Sequence, residues 1–172
     1  MNKIGGNKSF LAVSLLGKSL KLNIKYRNSS NVELTKKQNE LYLFLPTFYK
    51  KAEKINIVNS AIEKLYLEVA STQLENSMEI ARHLLQFAPE DYSIQTLKNS
   101  FYKCLKSGIL LVDPSIVKYN PNIITTTIIQ AFCKIKCKKN IALYKTTLIS
   151  ALKKYEEYKI TNNSISFIKQ AI

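Results

Sequence analysis

The chain has 172 residues, of which 46% are hydrophobic, and a net charge of +14. These values suit one domain with a substantial core, spanning residues 1–172, and they exclude an intrinsically disordered chain. The longest apolar runs, such as SGILLV at 107–112, are too short to cross a bilayer, so we expect no membrane-spanning segment.

The cysteines and residues 1–20 indicate in which cellular compartment the protein resides. Cys104, Cys133 and Cys137 are odd in number and have no repeated spacing, which argues against a disulfide framework. Residues 1–20 resemble a weak signal peptide but lack a small-x-small cleavage site. We therefore expect a reducing compartment, the cytoplasm.

The positive charge raises the question of a nucleic-acid partner. Arg27 and Arg82 are the only arginines among 26 basic residues, whereas base and phosphate recognition favours the arginine fork. The lysines are scattered, and their densest group, 134–139, lies where a helix C-terminus favours cations anyway. Nucleic-acid binding is an alternative that the sequence does not favour.

The first third predicts an antiparallel sheet. A strand over 9–16 precedes a turn at Gly17, and residues 19–26 alternate between apolar and polar. The following segment predicts a hairpin with its turn at 36–39, and Pro46 ends its second strand because proline cannot donate to a ladder.

Two helices are predicted in the middle of the chain, over 58–71 and 74–88, and Pro89 stops the second. Short strands are then expected in three stretches, followed by a helical turn at Asp113–Pro114. The three stretches are YSIQTL, FYKCL and GILLV, at 92–97, 101–105 and 108–112.

Two helices are predicted at the C-terminal end. Asn120 is a good N-cap, Pro121 suits the first helical position, and Asn140 caps the next helix. The apolar stripe of that last helix recurs at three and four residues: Ile141, Tyr144, Leu148, Ala151 and Tyr155. The tail over 161–172 is either a last short helix or a frayed end. The patterns together predict an α+β fold with an N-terminal antiparallel sheet, central helices, a short strand pair and two C-terminal helices. The expected buried face of the Asn120 helix consists of Ile124, Ile128, Ala131, Phe132 and Ile135.

The residues taken by themselves do not define a catalytic site. Cys133 and Cys137 are four positions apart, but a structural zinc site needs four ligands, and only Cys104 is left as a third thiol. The sole histidine, His83, is on a separate helix. The opposite face of the Asn120 helix has the composition of a solvated surface: Thr126, Thr127, Gln130, Lys134 and Cys137.

The order of features over 92–158 adds a further interpretation. Residues 98–104 are followed by a strand after Gly108 and by the helix that begins at Pro121. This frame resembles the YgjP-like zinc metallopeptidases, small relatives of the gluzincin and SprT-type peptidases, in which a K-S-R-W-G-S-C motif precedes a strand and an H-E-x-x-H helix. Residues 25–46 resemble the family's N-terminal strand and hairpin more loosely. The resemblance implies a minigluzincin-like fold, with 159–172 as a C-terminal extension.

The departures from the family pattern fall on its zinc site. The H-E-x-x-H motif falls on residues 130–134, so that Gln130 and Lys134 replace two ligands and Ala131 replaces the general base. The third histidine of the family falls on Ile141. The resemblance thus implies that zinc, expected in the family, is absent here and that peptidase activity is lost.

The sequence therefore predicts a catalytically inactive homologue with a peptide-binding or scaffolding role along the old substrate groove. A peptide or protein is the expected partner, because extended peptides pair with edge strands without needing a metal. Residues that the resemblance assigns to this groove are Phe101, Tyr102, Cys104 and Leu110.

Three other hypotheses stay open. The first is an active metallopeptidase with an atypical metal site made by Cys104, Cys133 and Cys137. The second is a basic nucleic-acid-binding or ribosome-associated module, for which a contiguous lysine face would be expected. The third is a decaying gene product whose fold has outlived its function.

Overall fold

The computed structural model describes residues 11–51 and 55–170. The fold is α+β, as the sequence predicts, and the described residues form two small sheets, three α-helices and two short 3-10 helices. In chain order the elements are β1 (Leu11–Leu15), β2 (Lys18–Arg27), β3 (Glu33–Lys37), β4 (Glu40–Pro46), a 3-10 helix (Thr47–Lys51), α1 (Ile55–Leu85), β5 (Asp91–Ile94), β6 (Tyr102–Cys104), β7 (Ile109–Val112), a second 3-10 helix (Pro114–Lys118), α2 (Pro121–Cys137) and α3 (Ile141–Gln170).

The N-terminal sheet is mixed rather than antiparallel. Its order is β1-β2-β4-β3, and although both hairpins are antiparallel, β2 and β4 run parallel. The prediction of an antiparallel sheet was wrong at this pairing, because alternation defines which face of a strand is buried and not the direction of its neighbour. The predicted turn at Gly17 is confirmed, with positive φ at Leu16 and Gly17; Ser9 and Phe10 of the predicted first strand lie outside the described residues.

A single helix, α1, covers the apolar face of this sheet, where two helices were predicted. The segment between the two predicted helices has no glycine or proline, so nothing interrupts the backbone ladder. The helix ends at Leu85, where Gln86 takes a positive φ of 46° ahead of Pro89. The sheet contributes fully buried leucines to the shared core: Leu20, Leu41, Leu43 and Leu45.

The second sheet contains strands in all three of the stretches predicted as short strands, so it is one strand larger than the expected strand pair, and its order is β5-β7-β6. β5 is parallel to β7 and β6 is antiparallel to it. The buried Asp113 follows β7, and its carboxylate accepts hydrogen bonds from the backbone N–H of Leu97 at 2.6 Å and of Ser115 at 2.8 Å. This carboxylate fixes the loop before β6 to the start of the second 3-10 helix.

The two C-terminal helices begin where the sequence predicts. The Asn120 side chain accepts a hydrogen bond from Ile123 N–H at 3.0 Å, and Asn140 does the same for Leu143 at 3.0 Å. α2 enters the core. The tail, for which the sequence allowed a short helix or a frayed end, continues α3 to Gln170. Among the described residues, no helix combines the length and the apolar character needed to cross a membrane.

Candidate functional site

α2 carries the positions at which the resemblance places the lost zinc chemistry. Gln130 is half-buried and Lys134 is exposed, one helical turn apart on the same side of the helix. Ala131, at the position of the general base, is fully buried. Its side chain is a methyl group in the core, so this position offers neither a proton acceptor nor access to water.

β6 lies beside this face of α2. The Cys104 thiol approaches the Ala131 carbonyl oxygen at 3.7 Å, and the Lys134 ammonium lies 5.7 Å from the centre of the Tyr102 ring. The Lys134 contact is a cation–π interaction at the limit of the usual range. The structure thus brings together Tyr102, Cys104, Gln130 and Lys134, four of the residues predicted from the sequence; with Tyr144, described below, they form what we call the β6–α2 site.

β6 is an edge strand of its sheet: among the described strands, only β7 pairs with it. Asp113 N–H donates to Phe101 O at 2.9 Å, and Leu105 N–H donates to Ile109 O at 2.9 Å. Hydrogen bonding alternates along an antiparallel strand, so the N–H and C=O groups of Tyr102 and Cys104 point away from β7. This edge therefore presents two donors and two acceptors.

The two other residues predicted to line the groove, Phe101 and Leu110, differ in how exposed their side chains are. Phe101 is 38% exposed and packs edge-on against Tyr119, which is 40% exposed, with ring centres 5.2 Å apart. Leu110 pairs with Cys104 across the sheet but is fully buried. Leu110 is therefore enclosed where Phe101 is exposed, because every second residue of β7 faces the core.

The first turn of α3 borders the site. Ile141 is 70% exposed at the helix start, so its side chain does not complete an enclosed centre with Gln130 and Lys134. Tyr144, one turn later, is half-buried; burial raises its pKa, and the neighbouring thiols of Cys133 and Cys104 raise it further. Burial also raises the pKa of Tyr102, with Tyr144 as the next contributor. Sequence reasoning placed Tyr144 only in an apolar stripe and missed its position at this site.

The three cysteines are not arranged as a metal centre. Burial raises the pKa of Cys133 to about 11, with a further contribution from Cys137, and burial also raises the pKa of Cys104. Such thiols are protonated at neutral pH and are poor nucleophiles there, because the reactive form is the thiolate. Within residues 11–51 and 55–170, no three His, Cys, Asp or Glu side chains are grouped so as to hold a metal ion.

The lysines that contact aromatic rings are distributed over several elements. Lys25 of β2 lies over Tyr42, and Lys118, at the end of the second 3-10 helix, lies over Tyr66. Lys136 of α2 and Lys159 of α3 each lie over another ring. These contacts hold the four ammonium groups close to aromatic rings of the same chain.

Comparisons with protein-family models, with curated protein sequences and with solved structures return no match. The resemblance to YgjP-like zinc metallopeptidases therefore stays a prediction from the sequence.

Proposed function

We propose that this protein is a catalytically inactive homologue of the YgjP-like zinc metallopeptidases that binds an extended peptide along β6. One observation carries the proposal: the free edge of β6 lies directly beside the face of α2 on which the family's zinc ligands fall. The minigluzincin-like fold belongs to the same proposal.

The side chains at these positions support binding without hydrolysis. Zinc requires deprotonated nitrogen, sulfur or oxygen ligands, and the Lys134 ammonium would repel it. A peptidase also needs a base to activate water, and the buried Ala131 supplies none. A substrate-like segment bound here would stay intact.

The geometry of β6 supports capture by strand addition. The outward backbone groups of Tyr102 and Cys104 would make up to four hydrogen bonds with an extended segment. The exposed pair of Phe101 and Tyr119 offers an apolar anchor at one end of the strand. The exposed side chains of Lys103 and Lys134 favour a segment with acidic residues.

A selection from displayed random peptides, followed by fluorescence polarisation with the recovered peptides, tests this proposal. In Cys104→Pro the edge loses an outward N–H, whereas Cys104→Ala keeps that N–H and loses only the thiol. We expect Cys104→Pro to bind at least about tenfold more weakly than Cys104→Ala. The proposal fails if the two variants bind alike while equally folded, if no peptide is recovered, or if a recovered peptide is cleaved.

A further inference from the structure

The N-terminal sheet also ends in a strand with a free edge. β3 lies at one edge of the described sheet. A two-residue turn joins it to β4, with Lys37 paired to Glu40 across the turn. In such a hairpin the pair next to the turn is hydrogen-bonded. Glu33, Thr35 and Lys37 therefore bond to β4, and the backbone groups of Leu34 and Lys36 point outward.

A slot whose lining is half apolar and half polar opens beside this edge. The cavity has a volume of about 550 Å³ and lies between β3 and α1. Leu34 is half-buried and pairs with the core residue Leu43, so the slot continues the layer between the sheet and the helix. A further strand beside β3 would cover the slot. The slot is lined by Leu34, Ile57, Ala61 and Leu65, with Lys64 and Glu68 at its helical wall.

We infer that this further strand is β3 of a second copy of the chain, paired antiparallel about a two-fold axis through Thr35. In this register Glu33 of each copy, which also pairs with Arg27 of its own chain, faces Lys37 of the other, and this gives two cross-strand ion pairs. Leu34 faces Lys36, and both have outward-pointing backbone groups, so the pairing forms hydrogen bonds. The two four-stranded sheets would become one.

A second, independent observation favours the axis at Thr35. The Thr35 hydroxyl is the buried side-chain polar atom of the described residues that lacks a hydrogen-bond partner. A buried hydroxyl without a partner is destabilising, and cross-strand threonine pairs form hydrogen bonds. The axis brings the two Thr35 side chains opposite each other, where each hydroxyl can satisfy the other.

The slot fits the same register. Lys36 of the second copy lies opposite Leu34, on the side of the sheet that faces α1. Its aliphatic stem would cover the apolar part of the lining, and its ammonium would enter a slot with two carboxylates, Glu33 and Glu68, and one ammonium, Lys64. Charge and apolar contact therefore point to a second copy as the occupant.

Disulfide trapping tests the register. Thr35 faces its equivalent in a non-hydrogen-bonded pair, where the Cβ atoms are about 4.5–5.5 Å apart and a disulfide is feasible with a small adjustment. In a glutathione redox buffer we expect Thr35→Cys to form a covalent dimer as its main product. Lys37→Cys is the matched control, because its two copies would be about 13 Å apart along the strands. Equal cross-linking of both variants, or of neither, would overturn the register.

Charge reversal tests the ion pairs by sedimentation. Lys37→Glu places like charges opposite each other at both symmetric positions, and we expect dimerisation about tenfold weaker than in the native chain. Glu33→Lys should weaken it similarly, and mixing the two variants should restore the affinity because a heterodimer regains both pairs. A native chain that is monomeric at about 200 µM would overturn the inference. A dimer that neither variant weakens would also overturn it, as would a different protein that binds to β3 and displaces the second copy.

Discussion

α2 and α3 follow one another in the chain and begin in the same way, yet they occupy different environments. Each opens after an asparagine whose side chain caps the first turn. α2 then places Ile124, Ile128 and Phe132 fully inside the core, while on α3 Ile149 remains 70% exposed. The cap determines where a helix begins, and the elements that lie opposite determine how much of it is buried.

The difference shows in the apolar stripe of α3. Of its predicted members, Ala151 and Tyr155 are buried and Tyr144 and Leu148 are half-buried, whereas Ile141 is exposed. α2 packs against α1 and the β6 strand on one side and against α3 on another. We therefore expect substitutions in α2 to affect the whole fold and those in α3 to have smaller effects.

The largest expected effect is at Phe132, whose fully buried ring packs edge-on against Phe87 with ring centres 6.4 Å apart. Phe132→Ala should lower the free energy of unfolding by about 3–5 kcal/mol, because it removes buried area and leaves a cavity. The matched change on α3, Ile149→Ala, should lower it by less than about 0.5 kcal/mol. Urea unfolding measures both, and similar losses would contradict the contrast between the helices.

Gly17 connects the first hairpin to the start of α2. Its φ is +77°, and a Cβ added there would lie 2.8 Å from the Asn120 Cβ. Gly17→Ala should therefore lower the free energy of unfolding by about 1–3 kcal/mol. Gly108→Ala is the control: φ is similar at +86°, but the added Cβ meets the Glu90 side chain, which can move. Thermal unfolding should show the smaller loss for Gly108→Ala.

A buried hydroxyl pair joins α1 to α2. Ser77 and Thr125 are both buried, with their oxygens 3.0 Å apart. Ser77→Ala should lower the free energy of unfolding by about 1–2 kcal/mol, because it leaves the Thr125 hydroxyl without this partner. The double variant with Thr125→Val should lose less than the sum of the two single losses. Strict additivity in denaturant unfolding would show that the pair does not interact.

The caps test whether the two helices also differ at their first turns. Asn120→Ala should lower the free energy of unfolding by about 1 kcal/mol, since Asn120 packs against Gly17 and the residues that follow the first turn of α2, Ile124 and Thr125, are buried. Asn140→Ala should cost about half as much, because the first turn of α3 is exposed and can fray locally. Aspartate at either position is the control that keeps the capping acceptor. Equal losses would mean that α3 is as firmly fixed at its start as α2.

The features that sequence predicts correctly are mostly local. Asn120 and Asn140 cap their helices because the signal lies within three residues of each. The parallel pairing of β2 with β4 was missed, since the alternation in each strand is the same for either direction. The division of α1 into two helices was wrong, since no residue between the two predicted segments breaks a helix.

The same distinction holds at the β6–α2 site. Helical spacing puts Gln130 and Lys134 one turn apart, but it also put Cys137 on the solvated face, and Cys137 is buried against α3. The burial of Leu110 depends on which face of β7 meets the core, and the short run of apolar residues does not specify that face. The position of Tyr144 follows from the angle between α2 and α3 at Lys138, where φ is positive, and no local pattern specifies that angle.

The smallest expected effect is a pH dependence of stability that comes from Cys133, on the buried face of α2. Cys133 has its pKa raised from an ordinary 9.0 to about 11 by burial, so between these values the unfolded chain releases the proton and the folded chain keeps it. Because the folded state then binds more protons, the free energy of unfolding should fall as pH rises from 9 towards 11 and be unaffected by this group near neutral pH. Cys133→Ala removes the titration while its packing loss stays constant. The stability difference between the native chain and Cys133→Ala should therefore shrink with rising pH, and a difference that stays constant would mean that water reaches this thiol.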